Sequence, residues 1–198
     1  VIVGPTTSGK TRLAQEIALE YDGHILNSDR MFFYRFYRIG TGRSDLELPR
    51  ERTHLFDLLD PAEDFLPTER FLDLLKKQLA VLHTRGELAI IEGVSSVYSP
   101  LIAQHLGGRL RWIGVLPQYE SLRERIRHRV QFALANGLIE EGKAILQKGL
   151  RDSPAVRISV VYPALLEFLD GKRTLEEVVD AVTARTLSLV DEHMVWLK

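Results

Sequence analysis

Gly4-Pro5-Thr6-Thr7-Ser8-Gly9-Lys10-Thr11 is the stretch on which the reading of this chain turns. Two glycines with four residues between them, followed at once by lysine and threonine, let backbone N–H groups converge on an anion with no side chain in the way. Lys10 adds a point positive charge, and the Thr11 hydroxyl suits a magnesium ion beside the anion. Val1-Ile2-Val3 before the loop reads as the end of a buried strand. After it, residues 11–21 read as a helix with Leu13, Ala14, Ile17 and Ala18 on one face. Such a helix aims the positive end of its dipole at the bound anion. Gly4, Thr6, Thr7, Ser8, Gly9, Lys10 and Thr11 are therefore expected to bind a phosphate or diphosphate, with Thr11 as the magnesium ligand.

Outward from the loop, strands and helices alternate. Residues 24–27 read as a strand ending at Ser28-Asp29, 36–52 as a loop carrying Gly40, Gly42 and Pro49, 65–84 as a helix, 88–91 as a strand ending at Glu92-Gly93, and 110–116 as a strand. From 120 the pattern is helical: 121–136 stopped by Gly137, then 139–148, 164–168 and 175–198. The expected fold is α/β, a parallel sheet flanked by helices of the P-loop NTPase-like kind, with a helical C-terminal portion. Residues 1–119 form the core of this scheme, and 120–198 pack on it as part of one compact unit.

Composition narrows the function. Among 198 residues, 26 Lys and Arg face 27 Asp and Glu, so the surface as a whole is no trap for polyanions and any such site must be local. Cysteine is absent, which excludes disulfides, thiolate chemistry and cysteine-based zinc sites. The six histidines include no pair at i, i+4, so a metalloprotease reading has no support. No apolar run approaches the roughly 18 residues of a membrane span. A cytoplasmic monomer with no membrane contact is expected. Val1 already lies inside an expected strand, so a few residues are expected to precede it.

Several side chains are candidates for chemistry, each with a plainer alternative. Asp29, at a strand end where α/β folds place ligands, can be a general base, a magnesium ligand held through water, or a helix cap. Glu92 closes an apolar strand as a metal-side acid does, or is a solvated strand end. Arg43 can contact an anionic substrate or face water. Arg123, Arg125, Arg127, His128 and Arg129 spread around a helix, mostly on the surface, with one or two reaching the site. Trp112 and Trp196 read as core residues.

Five blocks, in order, make the chain similar to the isopentenyltransferase family, which includes tRNA dimethylallyltransferases and the adenylate isopentenyltransferases of cytokinin biosynthesis. They are the loop at 4–11; Asn27-Ser28-Asp29-Arg30-Met31 with Tyr34-Arg35 and Ile39-Gly40-Thr41-Gly42-Arg43; and His54-Leu55-Phe56-Asp57-Leu58-Leu59-Asp60-Pro61. The fourth is Ile91-Glu92-Gly93-Val94-Ser95-Ser96-Val97-Tyr98, and the fifth is Arg125 to Val130 followed by Gly137-Leu138-Ile139-Glu140-Glu141. The resemblance implies that the loop holds the diphosphate of dimethylallyl diphosphate, or of its hydroxylated analogue, instead of a nucleotide. It implies Asp29 and Lys10 as catalytic residues, Mg2+ as cofactor, and an acceptor and donor lining that includes Thr41, Arg43, Glu92, Ser95 and Tyr162.

Within the family, only a short stretch at 99–122 stands where the tRNA enzymes carry an insertion that helps clasp the anticodon stem. The expected acceptor is accordingly the exocyclic amine of a free adenine nucleotide (AMP, ADP or ATP), with tRNA the second choice. Phe32, Val94, Tyr119 and Val161-Tyr162-Pro163 depart from the family pattern, and several of its anion-binding arginines are absent. Arg43, Arg125 and Arg129 are the residues able to replace them. A small-molecule kinase on the same loop and a non-catalytic nucleotide-binding module are the competing readings.

Overall fold

The computed structural model describes residues 1–43, 48–116 and 118–197, with Trp196 described by its backbone alone. Five short parallel strands, β1 (Ile2–Val3), β2 (His24–Asn27), β3 (Thr53–His54), β4 (Ala89–Glu92) and β5 (Ile113–Gly114), lie in the order β3-β2-β4-β1-β5. The helices are α1 (Lys10–Glu20), α2 (Thr68–Arg85), α3 (Tyr98–Leu106), α4 (Tyr119–Ala133), α5 (Ile139–Gln147), α6 (Pro154–Ile158), α7 (Tyr162–Leu169) and α8 (Leu175–Leu197). This is the expected α/β class, a parallel sheet between helices. None of the described helices is long and apolar enough to cross a membrane.

The sheet is covered on both faces, which explains why its strands read as unbroken apolar runs. Successive residues go to opposite layers: Ile25 and Ile90 join Ile2, Ala14 and Ala18 under α1, while Leu26 and Ile91 join the main core. That core is built around Phe33, Phe71 and Tyr98, whose rings meet at 4.6 to 5.7 Å between centroids. It continues without a break into Leu138, Ile145, Tyr162 and Leu165 of the C-terminal half. A separate cluster, Leu122, Ile126, Val130, Ala164, Val178, Val182 and Val190, joins α4, α7 and α8.

Some boundaries differ from the sequence reading for local reasons. Helix α2 begins after Pro67, which closes the preceding extended segment and leaves Phe65 exposed. At Gly137 the backbone takes φ 99°, so the expected stop is real, but the chain re-enters helix at once as α5. Helices α3 and α6 and strand β3 were not anticipated. The expected strand at 110–116 pairs only at Ile113–Gly114, on the sheet edge. Trp112 beside it is 37% exposed, so its assignment to the core is corrected. Residues 44–47 of the predicted 36–52 loop and the Trp196 side chain lie outside the described residues.

Phe71 is fully buried between Phe33 and Tyr98. Phe71→Ala is expected to lower the unfolding free energy by about 3–5 kcal/mol, measured by urea denaturation.

Candidate active site

The site lies at the carboxyl ends of β1, β2 and β4, where loops of a parallel sheet converge. The 4–11 loop leaves β1 with Thr7 at φ 63° and Gly9 at φ 97°, and α1 starts at Lys10. No side chain caps α1, so the N–H groups of its first turn are open to an anion. Lys10 is 7% exposed, with Nζ 4.0 Å from Glu92 Oε1. The Thr11 hydroxyl donates to the same Glu92 oxygen at 2.9 Å.

Asp29 reaches this spot through strand pairing. Asn27 of β2 stands opposite Glu92 of β4, and the Ser28 N–H donates to the Glu92 carbonyl at 2.8 Å. Gly93 then passes so close to the next residues that a Cβ on it would lie 2.5 Å from the Asp29 nitrogen. The Asn27 side chain accepts from the Asp29 N–H at 2.7 Å, and Asp29 Oδ1 accepts from the Met31 N–H at 2.9 Å. One carboxylate oxygen thus fixes the local turn. Burial raises the Asp29 pKa against the opposing pull of Lys10, the Met31 N–H, Arg129 and Arg30. Glu92 is likewise raised by burial, and further by the Asp29 charge, while Lys10 and the Thr11 hydroxyl pull it down.

The oxygens beside Lys10 are of a kind that suits magnesium. Glu92 Oε2 is buried with no hydrogen-bond partner among the described residues. Beside it stands the Thr11 hydroxyl, so the oxygens are of the hard type that magnesium prefers. No cluster of three or more acidic, histidine or cysteine ligands occurs among the described residues.

Two cavities meet at Asp29. One, of about 440 Å3, is lined by Gly9, Lys10, Thr11, Glu92 and Arg125. The other, of about 940 Å3, has an apolar wall that includes Ile126, Val130, Leu138, Val161 and Leu189, with Ser95 on its rim. Thr6, Thr7, Asp29, Thr41, Gly42 and Arg129 border both.

Not every residue singled out from the sequence faces these cavities. Gly4 and Ser8 sit behind the loop, and Ser8 is buried. Arg43 lines neither cavity; its guanidinium forks onto the Asp57 carboxylate and lies 4.9 Å from the Phe56 ring centre. Tyr162 is wholly buried and lines neither, its hydroxyl donating to Glu141 at 2.9 Å. Ser95 borders the wide cavity, but its hydroxyl accepts the Val97 and Tyr98 N–H groups at the start of α3. Of the arginines singled out from the sequence, Arg125 and Arg129 of α4 reach the site, beside Arg12 in the narrow cavity and Arg30, Arg157 and Arg185 in the wide one. Arg125 donates to the Thr7 carbonyl at 3.2 Å and Arg129 to the Thr41 carbonyl at 3.3 Å. Arg127 instead pairs with Glu176 and Asp180 of α8. The i, i+4 spacing of Arg125 and Arg129 was the available signal, since it puts both on one helix face.

Sequence reading named Arg125 and Arg129 but did not single out His193, on α8 in the wall of the wide cavity. Burial, then the Lys10 charge, push its pKa down to about 4 from 6.5. The folded chain therefore holds it neutral where the unfolded chain protonates it. Its contribution to stability is complete above pH 6.5 and declines as the pH falls toward 4. Melting temperatures of the wild type and His193→Gln, followed over that range, should converge at the acid end, because only the wild type carries this proton linkage.

Comparison with known proteins places the chain in a family. The Isopentenyl transferase family profile matches residues 1–109, and the IPP transferase profile matches residues 103–198. Relatives named tRNA dimethylallyltransferase include those of Thermomicrobium roseum, 24% identical with 100% of this chain and 82% of that protein covered, and of Acetivibrio thermocellus, 25% identical with 100% and 88% covered. A crystal structure of the tRNA isopentenylpyrophosphate transferase from Bacillus halodurans superposes with TM-score 0.82 at 24% identity, over 99% of this chain and 85% of that one. The Staphylococcus epidermidis enzyme of similar name gives 0.80 at 19% identity, over 98% and 88%. With the first profile covering more than half its length and the second taking up the remainder, the chain belongs to the isopentenyl transferase family.

Proposed function

We propose that this chain transfers the dimethylallyl group of dimethylallyl diphosphate to the exocyclic amine of an adenosine in a tRNA. The observation that carries the reading is the junction at Asp29, where a cationic pocket against the phosphate loop opens into a wide cavity with an apolar wall. Such a pair suits a donor whose diphosphate sits on the loop and whose hydrocarbon and acceptor occupy the larger space.

In the transfer, the amine nitrogen bonds to the allylic carbon as the carbon–oxygen bond to diphosphate breaks, its electron pair leaving with the diphosphate. The amine proton passes to Asp29, a residue that borders both cavities. Lys10, Arg125 and the first N–H groups of α1 stabilise the departing charge. Magnesium, held by Thr11, Glu92 and the diphosphate, would add positive charge to the leaving group. Arg43 has no direct part, being engaged with Asp57.

The tRNA acceptor rests on the names of the relatives. One observation favours a free adenine nucleotide, the acceptor first expected. The alignment to the Thermomicrobium roseum protein runs over 271 positions but contains all 198 residues of this chain, leaving about 73 without a counterpart here. Magnesium, dimethylallyl diphosphate and either unmodified tRNA or AMP, followed by mass, separate the two. The expected product is tRNA heavier by one prenyl group; prenylated AMP alone would transfer the assignment to the nucleotide, and no product from either would overturn prenyl transfer to adenine.

Asp29→Asn should lower kcat by about 10²–10⁴-fold while leaving the melting temperature near that of the wild type. Because burial raises the Asp29 pKa and the base must be ionised, the acid limb of kcat/KM should fall above pH ~4, where an ordinary aspartate titrates.

A further inference from the structure

We propose that Glu141 is a positioning residue of the transfer reaction, its carboxylate setting the conformation of the 37–43 segment at the junction of the two cavities. The proposal rests on the function above and deepens it. Glu141 stands in the first turn of α5, yet its side chain reaches back to the N-terminal half of the chain. Oε1 accepts the N–H groups of Arg38 at 2.7 Å and Ile39 at 3.1 Å, and Oε2 accepts the Gly40 N–H at 2.9 Å and the Tyr162 hydroxyl at 2.9 Å. Four donors occupy the four acceptor sites that a carboxylate offers. Glu140 next to it makes only an exposed i, i+3 pair with Lys143, so adjacency in sequence does not account for the arrangement.

The segment so held is tightly folded. Gly42 N–H donates to the Ile39 carbonyl and Arg43 N–H to the Arg38 carbonyl, at 3.0 and 2.9 Å. On the side of Tyr162 the backbone is in contact, because a Cβ on Gly40 would lie 2.7 Å from the ring. On the other side a Cβ on Gly42 would lie 1.7 Å from the Arg129 guanidinium, whose Nη2 donates to the Thr41 carbonyl. Thr41, Gly42 and Arg129 all border both cavities with Asp29. A shift of 38–40 therefore moves the cation and the backbone that face the reacting groups.

The chemistry of the contact specifies the residue. Every neighbour of the carboxylate is a donor, so an acceptor-only group is required, and glutamine must turn an NH2 toward at least one N–H or O–H. Glu141 borders neither cavity, so its part is to hold the segment.

The test uses the full chain with Glu141→Gln and Tyr162→Phe, the second removing one donor without adding another. Amide exchange of residues 38–40, read by mass, should speed up by about tenfold or more in Glu141→Gln. The kcat for the productive acceptor should fall by about 10–100-fold. The melting shift given by inorganic pyrophosphate should be largely kept, because Lys10, Thr11 and Arg125 of the narrow cavity lie outside the 37–43 segment and only Arg129 at its border is disturbed. Tyr162→Phe should change both exchange and kcat in the same direction by less. Unchanged exchange, or faster exchange with kcat intact, would overturn the proposal; so would parallel loss of the pyrophosphate shift, which marks a general structural role. A wild type inactive on both tRNA and AMP would instead overturn the proposed reaction, and exchange at 38–40 would then decide alone whether Glu141 sets the segment.

Discussion

Parallel pairing of β2 with β4, in the register that sets Asn27 opposite Glu92, is the constraint on which the site depends. Each strand turns away from the sheet within two residues of that pair. Gly93 allows the two turns to touch, and the contact brings Asp29 against Glu92 and Lys10. Burying two carboxylates and an ammonium together is tolerable because each meets an opposite charge or a hydrogen bond. The price is a strained balance in which both carboxyl groups titrate above their usual range. A one-residue slip of β4 would turn Glu92 to the other face of the sheet and separate it from Thr11.

The sheet provides only part of the enclosure. The apolar side of the wide cavity comes from α4, the turn at Leu138, the stretch at 158–161 and α8, and one face of α4 supplies Arg125 to the narrow cavity and Arg129 to both. Helices α4 and α8 are joined to α7 by the cluster of Ile126, Val130, Ala164 and Val182, and α5 and α7 are tied to the sheet by a continuous core that runs from Phe33 and Tyr98 through Leu138 and Tyr162. The same core carries Glu141 and Tyr162 to the 37–43 segment. The C-terminal half is thus a wall of the cavity and also a fixture for a loop of the N-terminal half.

Much of the site was legible in the sequence, and the exceptions share a cause. Thr6, Thr7, Gly9, Lys10, Thr11, Asp29 and Glu92, read from their positions relative to strand ends, do line one cavity. Arg43 and Tyr162 were assigned to the lining from family resemblance, yet Arg43 is taken by Asp57 and Phe56, and Tyr162 by Glu141. Trp112 was placed in the core by residue type, but β5 is an edge strand and leaves it half covered. Each depends on a partner distant in sequence, which local pattern does not reveal.

The sequence by itself determined the anion loop between strand and helix, the parallel α/β class and the acids at the strand ends, because these follow from spacing and periodicity over a few residues. Tertiary structure alone decided that Arg43 is drawn onto Asp57 while Arg125 and Arg129 reach the site, what encloses the wide cavity and why Glu141 touches residues about a hundred positions earlier. A charged side chain acts on whatever lies within a few ångströms of it, and only the packing of the two halves determines what that is.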